Sequence, residues 1–189
     1  MGNMKKSIII WTAAIILVAV AMYSVYQYNN KPTPPPTPTV QDNPEEQIQD
    51  SIDALDFTLE DTNGNKVTLS DYKGKTILLN FWASWCGPCK FEMPFIEKLY
   101  QDTKDSDFVI ITVDLQESKS VVSKFMTDNK YHFPALLDTE GDVGSQYGVS
   151  GIPLSLLINK DFKIVSAHDG AMEDYEMLKE FVDQLKDKK

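Results

Sequence analysis

The sequence predicts an α/β domain, a mixed sheet covered by helices, set behind an apolar N-terminal segment. Three observations predict it. Apolar runs of strand length alternate with stretches of helical periodicity from residue 75 onward. The last two strand runs flank a short turn, and the chain closes on an amphipathic helix.

The elements follow in chain order. Lys5 and Lys6 precede an uncharged, mostly apolar run from Ser7 to Tyr28. As a helix rising about 1.5 Å per residue it reaches roughly 33 Å, enough to span a bilayer core. The leading lysines orient that end to the cytoplasm and send the rest of the chain outside, with Trp11, Tyr23, Tyr26 and Tyr28 suited to the interfaces. The alternative is a cleaved signal peptide, since Ala19-Val20-Ala21 satisfies the small-x-small rule. Apolar residues continue through Val25, which favours a retained anchor over residues 1–28. Six of the ten prolines (Pro32, Pro34, Pro35, Pro36, Pro38, Pro44) then mark residues 29–50 as a linker. Its segment KPTPPPTPT is expected to be polyproline, a spacer of roughly 28 Å.

The globular domain is expected over residues 51–189. FTLEDTNGNKVTL places two short alternations around Asn63-Gly64, a hairpin signal. KTILLNFWA (75–83) and DFVIITVDL (107–115) are near-continuous apolar runs, as in strands covered on both faces. Between them, residues 88–104 carry Met93, Ile96, Leu99 and Tyr100 at helical spacing. Helices are also expected over 118–129, over 142–147 and from Met172 to Lys186. PALLD reads as a short strand, and LSLLIN and KIVSAH as a hairpin about Lys160-Asp161.

Charge narrows the partners. The formal net charge is -10, and lysine supplies all the positive charge, because arginine is absent. An acidic, arginine-free chain is poorly suited to phosphate backbones, so nucleic acid is not expected as a partner.

The chemistry gathers at LNFWASWCGPCKFEMP, residues 79–94, which holds both cysteines. Cys86 stands where a strand gives way to a helix, and the unpaired N–H groups of a helix N-terminus lower a thiol pKa from about 8.5 towards 7. Cys89, one turn in, can attack the first sulfur once a mixed disulfide has formed. Pro88 suits the first helical turn, where its missing N–H is not needed. Haem attachment would need a histidine where Lys90 stands. A zinc site would have to recruit His132 and His168 from far along the chain, so no metal site is expected. A copper(I) carrier, for which two thiolates suffice, stays open as a non-enzymatic reading.

With the membrane anchor, the DFTLEDTNGNKVTLSDYKGK lead-in and Glu92, this segment resembles the ResA/TlpA branch of extracytoplasmic thiol-disulfide oxidoreductases in the thioredoxin superfamily. The resemblance covers about residues 54–185. It implies a thioredoxin-like fold with an N-terminal β-hairpin and an inserted helix-strand unit, for which the 63 residues between Cys89 and Pro153 leave room. It implies Cys86 as the exposed nucleophile, Cys89 as the buried resolving thiol and Glu92 as the carboxyl that manages the Cys89 proton. Trp85, Gly87 and Pro88 would flank the bound substrate and Pro94 would kink the helix. YGVSGIP resembles the cis-proline loop, with Pro153 cis and Ile152 pairing with substrate backbone. Two positions depart from related patterns. Asn80 replaces the buried aspartate of cytoplasmic thioredoxins and cannot take up a proton, and Leu154 replaces the threonine that commonly follows the cis-proline.

The resemblance implies a protein-disulfide reductase without a cofactor, held in the bacterial cell membrane by a single pass with its catalytic domain outside. Its partners would be disulfide-containing exported proteins, such as apocytochromes c or proteins of envelope and spore assembly, and a transmembrane thiol electron donor. A disulfide-introducing oxidase is the reverse reading, against which the Gly87-Pro88 pair leans. A peroxidase, suggested by the hairpin lead-in, is a third.

Overall fold

In the computed structural model of the chain, residues 19–24, 26, 52–104 and 106–187 are described. The chain divides into two units, Met1–Gln47 and Ile48–Lys189. In the first, residues 19–24 are helical and the Ser24 hydroxyl donates to Val20 O at 2.8 Å. Apart from this stretch, the expected anchor and linker lie outside the described residues. Among the described residues no helix is long and apolar enough to cross a membrane.

The second unit is a thioredoxin-like α/β fold. Its strands are β1 (Ile52–Asp53), β2 (Thr58–Asp61), β3 (Lys66–Thr68), β4 (Thr76–Trp82), β5 (Phe108–Leu115), β6 (Ala135–Asp138), β7 (Leu154–Ile158) and β8 (Lys163–Asp169). Its helices are α1 (Gly87–Thr103), α2 (Lys119–Asn129), α3 (Asp142–Gln146) and α4 (Tyr175–Asp187). One mixed sheet runs in the order β1-β8-β7-β4-β5-β6-β2-β3. The strand with the most continuous apolar run, β4, lies inside it, parallel to β5 and antiparallel to β7. The insertion contributes α2 and β6, and β6 joins the β2–β3 hairpin to the sheet.

Strand alternation sorts the core into two layers. Ile77, Leu79 and Phe81 of β4 pack on one face with Leu69, Ile111, Val113, Leu136 and Leu156. Leu78 and Trp82 pack on the other with Cys89, Met93 and Ile96 of α1 and Leu178 of α4. Asn80 falls between Leu78 and Trp82 on the period of two, so its side chain is carried to the α1 face.

The hairpin turn is longer than a two-residue loop. Residues 62–65 connect β2 to β3, because Asp61 Oδ1 accepts the N–H groups of Asn63 and Asn65, both at 2.8 Å. Gly64 takes φ +90°, which a side chain would strain. The C-terminal helix begins three residues later than expected. Asp174 starts it, its carboxylate accepting Met177 N–H at 2.8 Å. Met172 matches the apolar periodicity because it is buried, yet it lies in the loop before α4, with its N–H free of any helical ladder.

Candidate active site

The sulfurs of Cys86 and Cys89 are joined in a disulfide at the start of α1. Cys86 is the N-cap residue, and its sulfur accepts Cys89 N–H at 3.1 Å in the manner of a capping side chain. The segment folds this way because β4 ends at Trp82 and Pro88 sits in the first helical turn with its φ already helical. Pro94 stands inside α1, which continues through it.

One expectation is corrected. Cys86 is only 5% exposed, not an exposed residue, because it packs with Trp82 and Ala83 and its Sγ lies 3.7 Å from the Ile152 carbonyl oxygen. The exposed side chain at the site is Trp85, at 68%, and Gly87 and Pro88 are exposed beside it. Cys89 is fully buried. The Ile152–Pro153 bond is cis, and it is this loop that sets the Ile152 carbonyl against the disulfide.

Glu92, one turn beyond Cys89, is completely buried. Asn80 Nδ2 donates to its Oε1 at 2.8 Å and Met172 N–H donates to its Oε2 at 3.1 Å. Burial outweighs both donors and raises its pKa from the ordinary 4.5 to about 7. A carboxyl poised near neutrality, one helical turn from a thiol, can accept and return a proton at working pH.

Three contributors were not legible as site residues beforehand. Ser155 of β7 lies opposite Asn80 in register and accepts the same Nδ2 at 3.0 Å. Met172 contributes through its backbone alone. Glu117, just beyond β5, accepts both the N–H and the hydroxyl of Ser84, the hydroxyl at 2.7 Å, and so ties down the loop that leads to Cys86. The strand period could have placed Asn80 on the α1 face. Nothing in the sequence marks the other three, because they arrive from distant elements.

Neither histidine joins the site. His132 contacts Glu97 at 2.8 Å on the far part of α1, and His168 packs on the Phe181 ring. Among the described residues no group of three or more His, Cys, Asp or Glu side chains is placed to hold a metal ion.

A pair of sulfurs held at one helix N-terminus, close enough to bond, is built for thiol-disulfide exchange. On this sheet it defines a thioredoxin-like thiol-disulfide oxidoreductase. More particularly, the chain belongs to the redoxin family, whose model matches residues 49–185. It is 40% identical to the thiol-disulfide oxidoreductase ResA of Bacillus subtilis over 141 residues, 75% of this chain and 78% of that protein. It is 32% identical to ResA of Bacillus cereus over 185 residues, 96% of this chain and 99% of that one. Among solved structures, StoA from Bacillus subtilis superimposes with a TM-score of 0.60 at 32% identity, covering 67% of this chain and 96% of that one. The exposed lipoprotein thioredoxin of Streptococcus pneumoniae gives 0.62 at 31% identity, covering 69% and 100%.

Proposed function

We propose that the chain is a membrane-anchored reductase of disulfides in exported proteins. The observation that carries this reading is the Cys86–Cys89 disulfide at the N-terminus of α1, with Glu92 buried one turn behind it. In the reduced enzyme the Cys89 N–H and the helix N-terminus favour Cys86 as thiolate. That thiolate attacks one sulfur of the substrate disulfide. A mixed disulfide forms on Cys86, and the other substrate sulfur leaves as a thiolate that takes a proton from solvent. Glu92 then takes the Cys89 proton, and the Cys89 thiolate attacks Cys86 Sγ. The Cys86–Cys89 bond closes, the second substrate thiolate is released, and two electrons have passed to the substrate.

Trp85, Gly87 and Pro88 form the surface the substrate meets, and the Ile152-Pro153 loop pairs with its backbone. The segment of residues 1–28, with its apolar run from Ser7 to Tyr28, anchors the chain in the bacterial cell membrane with the domain outside. A match to ResA that extends over 96% of the chain supports this placement, as does likeness to a thioredoxin described as an exposed lipoprotein. The oxidised enzyme is returned to the dithiol by a transmembrane thiol donor.

Cys89→Ala cannot resolve the mixed disulfide, so membranes carrying this variant accumulate adducts between Cys86 and exported proteins. Absence of every such adduct refutes the reading. The reduction potential gives the direction: a value near the roughly -270 mV of thioredoxin marks a reductant, and one near roughly -120 mV marks a maker of disulfides. Tight copper(I) binding by the reduced protein without reductase activity would favour the carrier reading instead.

A further inference from the structure

Every group aimed at Glu92 is a donor. Asn80 Nδ2 reaches Oε1 at 2.8 Å and Met172 N–H reaches Oε2 at 3.1 Å. The second hydrogen of Asn80 Nδ2 goes to Ser155 Oγ at 3.0 Å. Asn80 Oδ1 is buried and has no partner. This arrangement suits a carboxylate. Once Glu92 takes up a proton, one of its oxygens becomes a donor, and a donor facing a donor in a solvent-free site leaves both without an acceptor.

The primary amide resolves the conflict by a half-turn about its last torsion, which exchanges Nδ2 and Oδ1 with almost no change in shape. Oδ1 then faces both Glu92 Oε1 and Ser155 Oγ. It accepts the Glu92 O–H, and it accepts the Ser155 hydroxyl, which turns from acceptor to donor as only a hydroxyl can. Nδ2 moves into the place that Oδ1 left. Glu92 and Ser155 therefore keep a partner in both states, at the expense of the Asn80 NH2, which gives up both acceptors when it turns away, and Met172 N–H is unchanged throughout. The sheet supplies the geometry, because Ser155 is the register partner of Asn80 across β4 and β7.

We propose that Asn80 and Ser155 form a reversible clamp that rotates with the protonation of Glu92 and holds its side chain in one place in both states. Both are positioning residues, acting on Cys89 only through Glu92. The proposal rests on the reading that Glu92 carries the Cys89 proton: the proton leaves Cys89 Sγ for a Glu92 oxygen, no electron moves in that step, and the proton returns when the dithiol is restored. What acts on Glu92 is its burial, the Met172 N–H of the loop before α4 and the Asn80 amide of β4, with no neighbouring charge. On its own helix the titratable groups toward the N-terminus are Lys90, whose side chain is exposed, and Cys89, one turn away, once the disulfide is reduced.

The test is the titration of Glu92 in the full-length protein in detergent, read from labelled glutamate carboxyl carbons, with Glu92→Gln to assign the signal. A fixed Asn80 donor stabilises only the carboxylate, so Asn80→Ala would raise the midpoint by about one pH unit. A clamp serves both forms, so the midpoint of Asn80→Ala stays within about half a unit of the unsubstituted protein. A larger rise overturns the proposal. A second reading needs no variant: cross-relaxation from the Asn80 amide protons to the Ser155 β protons is strong above the midpoint and lost below it. Contacts that do not change with pH refute the clamp, whether or not Asn80→Ala folds. Failure of the disulfide-reductase reading would show as absent turnover with these titrations still readable, whereas a fixed amide in an active enzyme sinks the clamp alone.

Discussion

Glu92→Gln should make the protein more stable in alkali and leave it nearly unchanged in acid. The folded-state pKa of Glu92 is raised from 4.5 to about 7 by burial. A group whose pKa rises on folding contributes stability below its unfolded pKa and loses it as pH climbs through the folded value. At about 1.36 kcal/mol per pH unit, the carboxylate weighs against the folded state by about 3 kcal/mol above pH 7, with the loss developing between roughly pH 4.5 and 7. Glutamine never carries that charge. Its carbonyl can accept Met172 N–H, and its NH2 can donate to the rotated Asn80 Oδ1, so it stands in for the protonated acid. The assay is denaturant unfolding of the oxidised domain lacking residues 1–41, at pH 4 and pH 8. The expected result is a difference near zero at pH 4 and a gain of about 2–3 kcal/mol at pH 8 for the variant. A difference that does not depend on pH would refute the reasoning, because it would mean that Glu92 has the same pKa folded and unfolded. Turnover should move the other way, since the variant cannot take the Cys89 proton, and the loss should be within the 10²- to 10⁴-fold typical of a missing acid-base group.

Other outcomes follow from the neighbouring acids. Asp114 of β5 is fully buried beside Glu117, and burial, then the Glu117 carboxylate, raises its pKa to about 8. Its contribution to stability is therefore lost as pH rises from about 4 to about 8, and Asp114→Asn should raise the unfolding midpoint at pH 9 with little effect at pH 4. Glu117→Ala removes the acceptor of two Ser84 donors, so thiol-disulfide exchange at Cys86 should slow several-fold while Glu92 titrates as before. The same substitution removes a like charge from beside Asp114, and carboxyl NMR should show the Asp114 pKa fall.

The fold was largely legible because its evidence is local and repeated. The apolar runs over 75–83 and 107–115 became β4 and β5, and Asn63-Gly64 and Lys160-Asp161 mark real hairpin turns. The boundary that failed, at Met172, did so because burial alone mimics helical periodicity when a loop residue packs into the core. The exposure expected of Cys86 failed for a similar reason: the Ile152 carbonyl that covers its sulfur lies 66 residues away.

The sequence by itself determined the chemistry, since two cysteines at i and i+3 before a helix, with a glutamate one turn on, are placed by the backbone they occupy. Their spacing along a helix is a matter of local geometry. Tertiary structure alone decided how that chemistry is tuned. Asn80 read as a residue that had lost a proton acceptor, and it became the partner of Glu92 only when strand alternation turned it toward α1. Ser155 reached it through antiparallel register across 75 residues, and Met172 supplied a backbone N–H from 80 residues beyond Glu92. Such contacts leave no pattern in a sequence, because burial and hydrogen bonding belong to the folded neighbourhood and not to the residue.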